Sequence, residues 1–476
     1  MSTRRHVLCT GALAAAAASL GPRGMAGAQP PAFSSRRPPP GERRFRSPAV
    51  EAVIAAVKRE VSDPEIAWLF ENCFPNTLDT TVRYSEKGGR PDTFVITGDI
   101  EAMWLRDSSA QVWPYLPLAK EDPALQKLLA GVVHRQAACI LIDPYANAFN
   151  DGPKGSEWAK DLTDMRPGLH ERKWEVDSLC YPVRLAHGYW EATGDASVFD
   201  SEWRAAAAAI LRTFREQQRK EGPGPYSFRR VTSVAYDTVP LGGYGNPTRK
   251  VGLIHSAFRP SDDACMFPFL VPSNHFAVVS LRQLAEIADA VSKDAALARE
   301  CRALADEVAS ALAAHALIPH PRHGAVWAYE VDGFGNALFM DDANVPSLLS
   351  LPYLGCSAPD DPAYLRTRRL VLSDDDPYFF RGRAAEGVGG PHVGLRMVWP
   401  LGVAMRALTS TSGAEVRACV QTLKRTHAGT GYVHESFDAD DPARYTRAWF
   451  AWANTLYGEL VLRLLAERPE VLREKA

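Results

Sequence analysis

Amphipathic stretches joined by links too short for anything but a reversal constrain this chain more than any other feature. Apolar residues recur at three- and four-residue steps over 48–74, 107–119, 122–143, 177–194, 196–220, 273–292 and 294–317. The same period returns over 342–351, 361–372, 396–411, 413–427 and 446–467, which predicts about twelve helices. Thr193-Gly194-Asp195 separates one pair of helices and Ser292-Lys293-Asp294 another, and turns that short make the neighbours antiparallel. Six such hairpins in succession can close into a double-walled ring, an all-α (α/α)6 barrel. A solenoid is disfavoured, because no repeat of 20–50 residues is visible in the sequence.

Between the helices run long segments rich in Gly, Pro and aromatics: 144–175, 221–272, 318–341, 374–395 and 428–445. Loops of that length are functional or disordered. These carry Trp, Tyr and Phe, which disordered chains lack, so they are expected to be ordered and to form an active-site mouth on the rigid helices.

The N-terminus reads as a separate piece. Paired Arg4 and Arg5 precede an Ala-rich run and a small-residue site at Ala26-Gly27-Ala28, the pattern of a twin-arginine export signal over 1–28. The run is too short to span a bilayer. Residues 29–46 are expected to be a disordered Pro/Arg-rich leader, and 47–470 a single catalytic domain, periplasmic or secreted, with no membrane contact once the signal is removed. Cys9 falls in the signal and leaves an odd seven of the eight cysteines, with no CxxC pair, so most are expected as buried free thiols. A formal net charge of -2 gives no electrostatic footprint for nucleic acid.

Chemistry concentrates where loops meet helices. GDIEAMWLRDSS carries Asp99, Glu101, Trp104, Arg106 and Asp107; RKWEVDSLCYP carries Trp174, Glu175 and Asp177. FRPSDDACMFPFLVPSNHFA carries Arg259, Asp262, Asp263, Asn274 and His275. GTGYVHESFDADDPARYTRAWFAWANTLYGELV carries His434, Glu435, Arg447, Trp449, Trp452 and Asn454, and a weaker stretch holds Asp341, Asp342 and Asn344. Singly, Asp99 or Asp177 reads as a helix N-cap and the tryptophans as core. Together they suit a wet pocket that grips hydroxyls with carboxylates and arginine and stacks a sugar's C–H face on indole. Glycosidic cleavage asks for a carboxylic acid to protonate the leaving oxygen and a second carboxylate as nucleophile or base. Burial against aromatics or beside another carboxylate would raise the acid's pKa, and Asp262-Asp263 and Glu435 are the candidates.

Other chemistries fit less well. No GxGxxG opens a helix after a strand, and no GxxxxGK[ST] or GxSxG is present. His320-Pro-Arg-His323 lies among prolines, and the spacing of Asp262, Asp263, Asp341 and Asp342 gives no direct support for a divalent ion, so neither metal nor cofactor is expected.

GDIEAMWLRDSSAQVWPY, FRPSDDA with PSNHFA, and GYVHESF followed by TRAWFAWANTLYGEL resemble glycoside hydrolase family 125, the metal-independent exo-α-mannosidases of bacteria and fungi, from about residue 47 to 467. The resemblance implies an (α/α)6 barrel and inverting hydrolysis of terminal, non-reducing α-1,6-linked mannose from an oligosaccharide or glycan. It implies Glu435 as general base and Asp262 as general acid, with Asp263 the alternative. Arg106 and Asp107 would hold the sugar, with Trp104, Asp177, Asp263, His275 and Arg447 as further contacts. Another glycan-active enzyme on the same barrel, a glucosidase or a phosphorylase using Arg381-Gly382-Arg383, is the second reading. A non-catalytic glycan-binding protein is the third.

Overall fold

The computed structural model describes residues 33–473; the export-signal reading of 1–28 falls outside them, as do 29–32. Twelve α-helices of eight residues or more occur among the described residues, and they divide into two kinds by how they begin. Seven start behind a Ser or Asp whose side chain accepts a backbone N–H of the first turn. These are Pro48–Glu60, Pro64–Cys73, Pro123–Ile142, Ser201–Gln217, Ala295–His315, Pro362–Val371 and Gly413–Arg425, capped by Ser47, Asp63, Asp122, Asp200, Asp294, Asp361 and Ser412. The other five have no side-chain cap: Leu105–Val112, Val176–Thr193, Val271–Ile287, Pro400–Leu408 and Ala451–Glu467, which follow Trp104, Glu175, Leu270, Trp399 and Phe450.

The uncapped helices pack on one another in the order 400–408, 451–467, 105–112, 176–193, 271–287. Every residue of Leu105–Val112 is buried, as is all of 451–461, which fits an element enclosed on every side. The capped helices keep one apolar stripe. Ser201–Gln217 buries Trp203, Ala206, Ile210 and Phe214 and lies against 123–142 and 295–315, away from the inner series.

Three short antiparallel sheets stand at inner-helix starts and pin the connecting loops. Met103–Trp104 pairs with Ala148–Phe149, which pairs with Leu169–Glu171. Glu330–Val331 lies between Phe269–Leu270 and Ala337–Leu338, and Ser436–Asp438 between Met397–Val398 and Tyr445–Thr446. Among the described residues no helix is long and apolar enough to cross a membrane. The seven cysteines among the described residues are free thiols, all buried except the half-buried Cys356.

Three expectations are corrected. The segment 48–74 is two helices, because Val61 is extended and Asp63-Pro64 opens a new one. The segment 342–351 is a chain of turns instead of a helix. There Asp341 accepts the N–H groups of Leu348 and Leu349, and Ser347 and Ser350 bond each other, while Pro346 and Pro352 offer no N–H. The leader is not disordered over its described part, since the compact unit begins at Ser35. Arg37 donates to Asp79 at 2.8 Å and Glu51 at 3.0 Å, and Asn72 accepts the Arg36 N–H at 2.9 Å. Composition misjudged this stretch because the buried Asp79 needs a cationic partner.

Candidate active site

The uncapped inner helices take acceptors for their first N–H groups from other segments: Leu105 donates to Asn147, Val176 to Ser256, Val271 to Tyr329 and Ala451 to Thr97. Trp104, Trp399 and Phe450, the residues preceding three of these helices, all line one cavity of about 180 Å³. That is below the 300–1,000 Å³ of drug-sized pockets and suits a single sugar ring. Its ionisable lining comes from Arg106, Asp107, Asp262, His392, Glu435 and Arg447, with Thr97, Ser261 and Asn344 as neutral polar groups.

Glu435 directly precedes the central strand Ser436–Asp438, so the strand pairing fixes its backbone. Upstream, Asn454 accepts the Val433 N–H at 3.0 Å, and the His434 ring stacks on Tyr445 at 3.7 Å. Arg447 reaches Glu435 at 3.4 Å while Asp99 accepts from its Nε at 2.9 Å and Thr97 from its Nη2 at 3.3 Å. The carboxylate therefore faces the cavity with one oriented cation beside it and only 6 % of its surface exposed.

Asp262 arrives from a different element. Its φ of 69° places it in the left-handed region, which Asp tolerates better than most residues. The turn is held by the Asp262 N–H donating to Arg259 and by Arg259, whose side chain donates to the buried Glu330 at 2.6 Å. Glu330 in turn accepts the N–H groups of Met266 and Phe267. Adjacent residues thereby point apart: Asp262 lines the cavity, whereas Asp263 turns behind it to meet His392 Nδ1 at 2.9 Å. Arg447, with φ of 39°, is the second non-glycine residue of the cavity with left-handed backbone. Strain of this kind persists where the surroundings over-determine it, as at binding sites.

Behind Asp262 lies a crowded charge cluster. Arg106 donates to Glu175 at 2.5 Å and to Asp177 at 3.1 Å, and its other amine comes within 3.5 Å of Asp262. Lys173 donates to the Asp262 carbonyl oxygen at 2.8 Å. Burial alone would raise Asp262, but the charges of Lys173 and Arg106 outweigh it and bring the carboxyl down to about 2. The lift appears instead on Glu175, fully buried and hydrogen-bonded to Asp262, whose pKa rises well above the carboxylate range. Asp107 is raised to about 6 by burial, against the pull of Arg106 and Arg447. Burial opposes protonation of His392, yet the Asp263 carboxylate raises it to about 9, so it faces the cavity as a cation at neutral pH.

Of the residues singled out in the sequence, Trp104, Arg106, Asp107, Asp262, Asn344, Glu435, Arg447 and Trp452 line the cavity. Asp177, Asp263 and His275 do not. Asp177 is fully buried between Arg106 and Ser273 and acts as support. His275 lies one position past Asn274 on its helix, about 100° around it, and packs edge-on against Trp327 at 4.5 Å. Burial lowers it to about 4, so it is a neutral ring away from the site. His392 and Trp399 were missed. His392 sits in GGPHVG with no acidic neighbour in sequence, and only the fold brings it to Asp263.

Asp341 and Asp342 are occupied by loop backbone, Asn344 and Ser261. Among the described residues one set could hold a metal ion: His320, His323 and Asp375, with donor atoms within 4.8 Å. Its His323–Asp375 contact of 2.6 Å already satisfies both partners, and none of the three lines the cavity.

A titration follows from the raised Asp107. Its carboxyl is expected to take up a proton as pH falls through about 6, about two units above the usual value. In ¹³C NMR of Asp-labelled protein, a carboxyl titrating near there should vanish in Asp107→Asn.

A helical scaffold that gathers the starts of inner helices at a sugar-sized pocket, with acidic groups from different elements in its lining, is the build of a glycoside hydrolase. Residues 63–462 match the family model of the metal-independent α-mannosidases, so the chain belongs to glycoside hydrolase family 125. It is 42% identical over 460 residues to the Meiotically up-regulated gene 157 protein of Schizosaccharomyces pombe, covering 93% of this chain and 90% of that one. It also matches a solved Streptococcus pneumoniae metal-independent α-mannosidase, described as a non-productive complex with α-1,6-mannobiose. That match has 42% identity and a TM-score of 0.86, over 89% of this chain and 100% of the other.

Proposed function

We propose that this protein is an exo-acting α-mannosidase that removes terminal, non-reducing α-1,6-linked mannose with inversion of configuration. The observation that carries the reading is the presence of Asp262 and Glu435, distant in sequence and on different elements, in the lining of one small cavity. Asp262 is the general acid, which protonates the leaving glycosidic oxygen. Glu435 is the general base, which holds and deprotonates water on the opposite face of the ring. Arg106 and Asp107 fork hydroxyls of the terminal mannose, Trp104 supplies a flat apolar face, and Arg447 orients Glu435. The solved relative's complex with α-1,6-mannobiose supports both the sugar and the linkage.

The scaffold is read as an (α/α)6 barrel over a single catalytic domain. The ordered contacts of the inner helices and the outer position of Ser201–Gln217 support this. Phosphorolysis is disfavoured, because Arg381 is committed to Asp374 and Glu386 and lies outside the cavity lining. The N-terminal twin arginines carry a proposal of export to the periplasm or beyond. It predicts loss of the exported form, by cell fractionation, when Arg4 and Arg5 become lysines.

The test is a linkage panel. Purified protein with chelator present is expected to release mannose from α-1,6-mannobiose and to leave the α-1,2 and α-1,3 isomers largely intact. Chelator should change the rate less than twofold. Activity lost with chelator, or equal on all three linkages, would contradict the reading.

A further inference from the structure

Lys173 and Arg106 both bear on Asp262 and hold its carboxyl low, so a proton kept for the leaving oxygen is drawn toward its buried neighbour Glu175. The cluster behind Asp262 has the composition for that. Arg106 alone faces Glu175, Asp177 and Asp262, with Asp107 3.6 Å from its Nε. A second cation, Lys173, lies 3.0 Å from Asp237 and 3.5 Å from Glu171, which also pair with Arg230 at 3.0 Å and 2.8 Å. The surplus of negative charge therefore falls on the four carboxylates around Arg106, and full ionisation of that buried set is costly.

The surplus proton has a defined address. Asn147 Nδ2 lies 3.4 Å from Glu175 Oε1 and 3.3 Å from Asp262 Oδ1, so these two acceptor oxygens crowd one donor. Glu175's other oxygen is taken by Arg106 and by Ser178 at 2.7 Å. A proton between Glu175 and Asp262 removes the repulsion, as in carboxylate pairs that share one proton. Tyr226 stands behind this pair, while His392 and Glu435 face Asp262 from the cavity side.

We propose that Glu175 is a positioning residue that stores the catalytic proton and returns it to Asp262 when a glycosidic oxygen is presented. The inference rests on the mannosidase reading. In the step, the proton moves from Glu175 to Asp262 and from Asp262 to the leaving oxygen as the C1–O bond breaks. Water's oxygen bonds to C1 and its proton goes to Glu435. Glu435 then releases that proton to solvent and the Glu175–Asp262 pair takes one up, so no net proton is consumed.

The test is Glu175→Gln, assayed across pH on α-1,6-mannobiose and on 2,4-dinitrophenyl α-mannoside, whose leaving group departs without protonation. The variant is expected to lose about 100-fold on mannobiose at pH 7 and less than threefold on the aryl mannoside. Its alkaline limb on mannobiose should move down by at least one pH unit, because Asp262 must then bind its proton alone beside Lys173 and Arg106. Equal losses on both substrates at all pH values would assign Glu175 a structural role and overturn the proposal, as would an unchanged profile. If Glu175→Gln does not fold, Glu175→Asp should show the same split between substrates at about tenfold, and an equal loss overturns the proposal. A wild type inactive on mannobiose would instead remove the mannosidase reading itself.

Discussion

Glu435→Gln is expected to lose about 10³–10⁴-fold in kcat while binding mannobiose within about threefold of the wild type. The amide keeps the shape and the hydrogen bonds of the carboxylate but cannot take a proton from water. Removing the charge leaves Arg447 anchored, since Asp99 and Thr97 still accept from its guanidinium. The cavity therefore keeps its form, and the loss falls on the chemical step. Single-turnover kinetics alongside calorimetric binding separates the two effects. A loss of less than tenfold would remove Glu435 from the role of base.

Arg106→Met should have the largest effect on folding. The guanidinium is 3 % exposed and faces Glu175, Asp177 and Asp262, so its removal leaves buried carboxylates without a counter-charge. Breaking a buried ion pair from one side costs about 3–5 kcal/mol. The direction with pH follows from the same groups. Without Arg106 the pKa values of Glu175 and Asp177 rise further above their unfolded values and Asp262 loses part of the pull that holds it low, so the penalty is greatest at neutral pH and shrinks as pH falls and protons neutralise them. Chemical denaturation of Arg106→Met and wild type at pH 7 and pH 5 should show that narrowing. Arg381→Met, removing a half-exposed surface partner of Asp374, should change stability by less than about 1 kcal/mol at either pH.

Much of the scaffold could be read directly because helix signals are local. Asp122 followed by Pro123 and twenty residues of apolar periodicity gave Pro123–Ile142 within a residue at each end. Similar reasoning failed at 342–351, where Asp341 and the Ser347–Ser350 pair take up backbone groups that a helix would have used. It failed again at Arg36 and Arg37, whose order depends on Asn72 and Asp79 far along the chain.

The site divides along the same line. Trp104, Arg106 and Asp107 share one short segment in which charge and indole occur together, a mixture legible without coordinates. Whether a carboxylate faces the cavity or supports it from behind is a question of one backbone step. Asp262 and Asp263 are neighbours, and only the left-handed turn at Asp262 sends the first into the cavity and the second to His392. Asp177 carried the right chemistry on the far side of Arg106. His392 had no local signal, because its meaning comes entirely from Asp263, 129 positions away.

The central claim is that Asp262 and Glu435 act from opposite sides of one mannosidic bond with a water molecule between Glu435 and the sugar. Such a site places its carboxyl groups about 6.5–9.5 Å apart and delivers the hydroxyl from the face opposite the leaving group. Proton NMR of α-1,6-mannobiose hydrolysis, recorded before mutarotation, reads this directly. β-Mannose as the first product is the predicted result, and α-mannose appearing first would contradict the account.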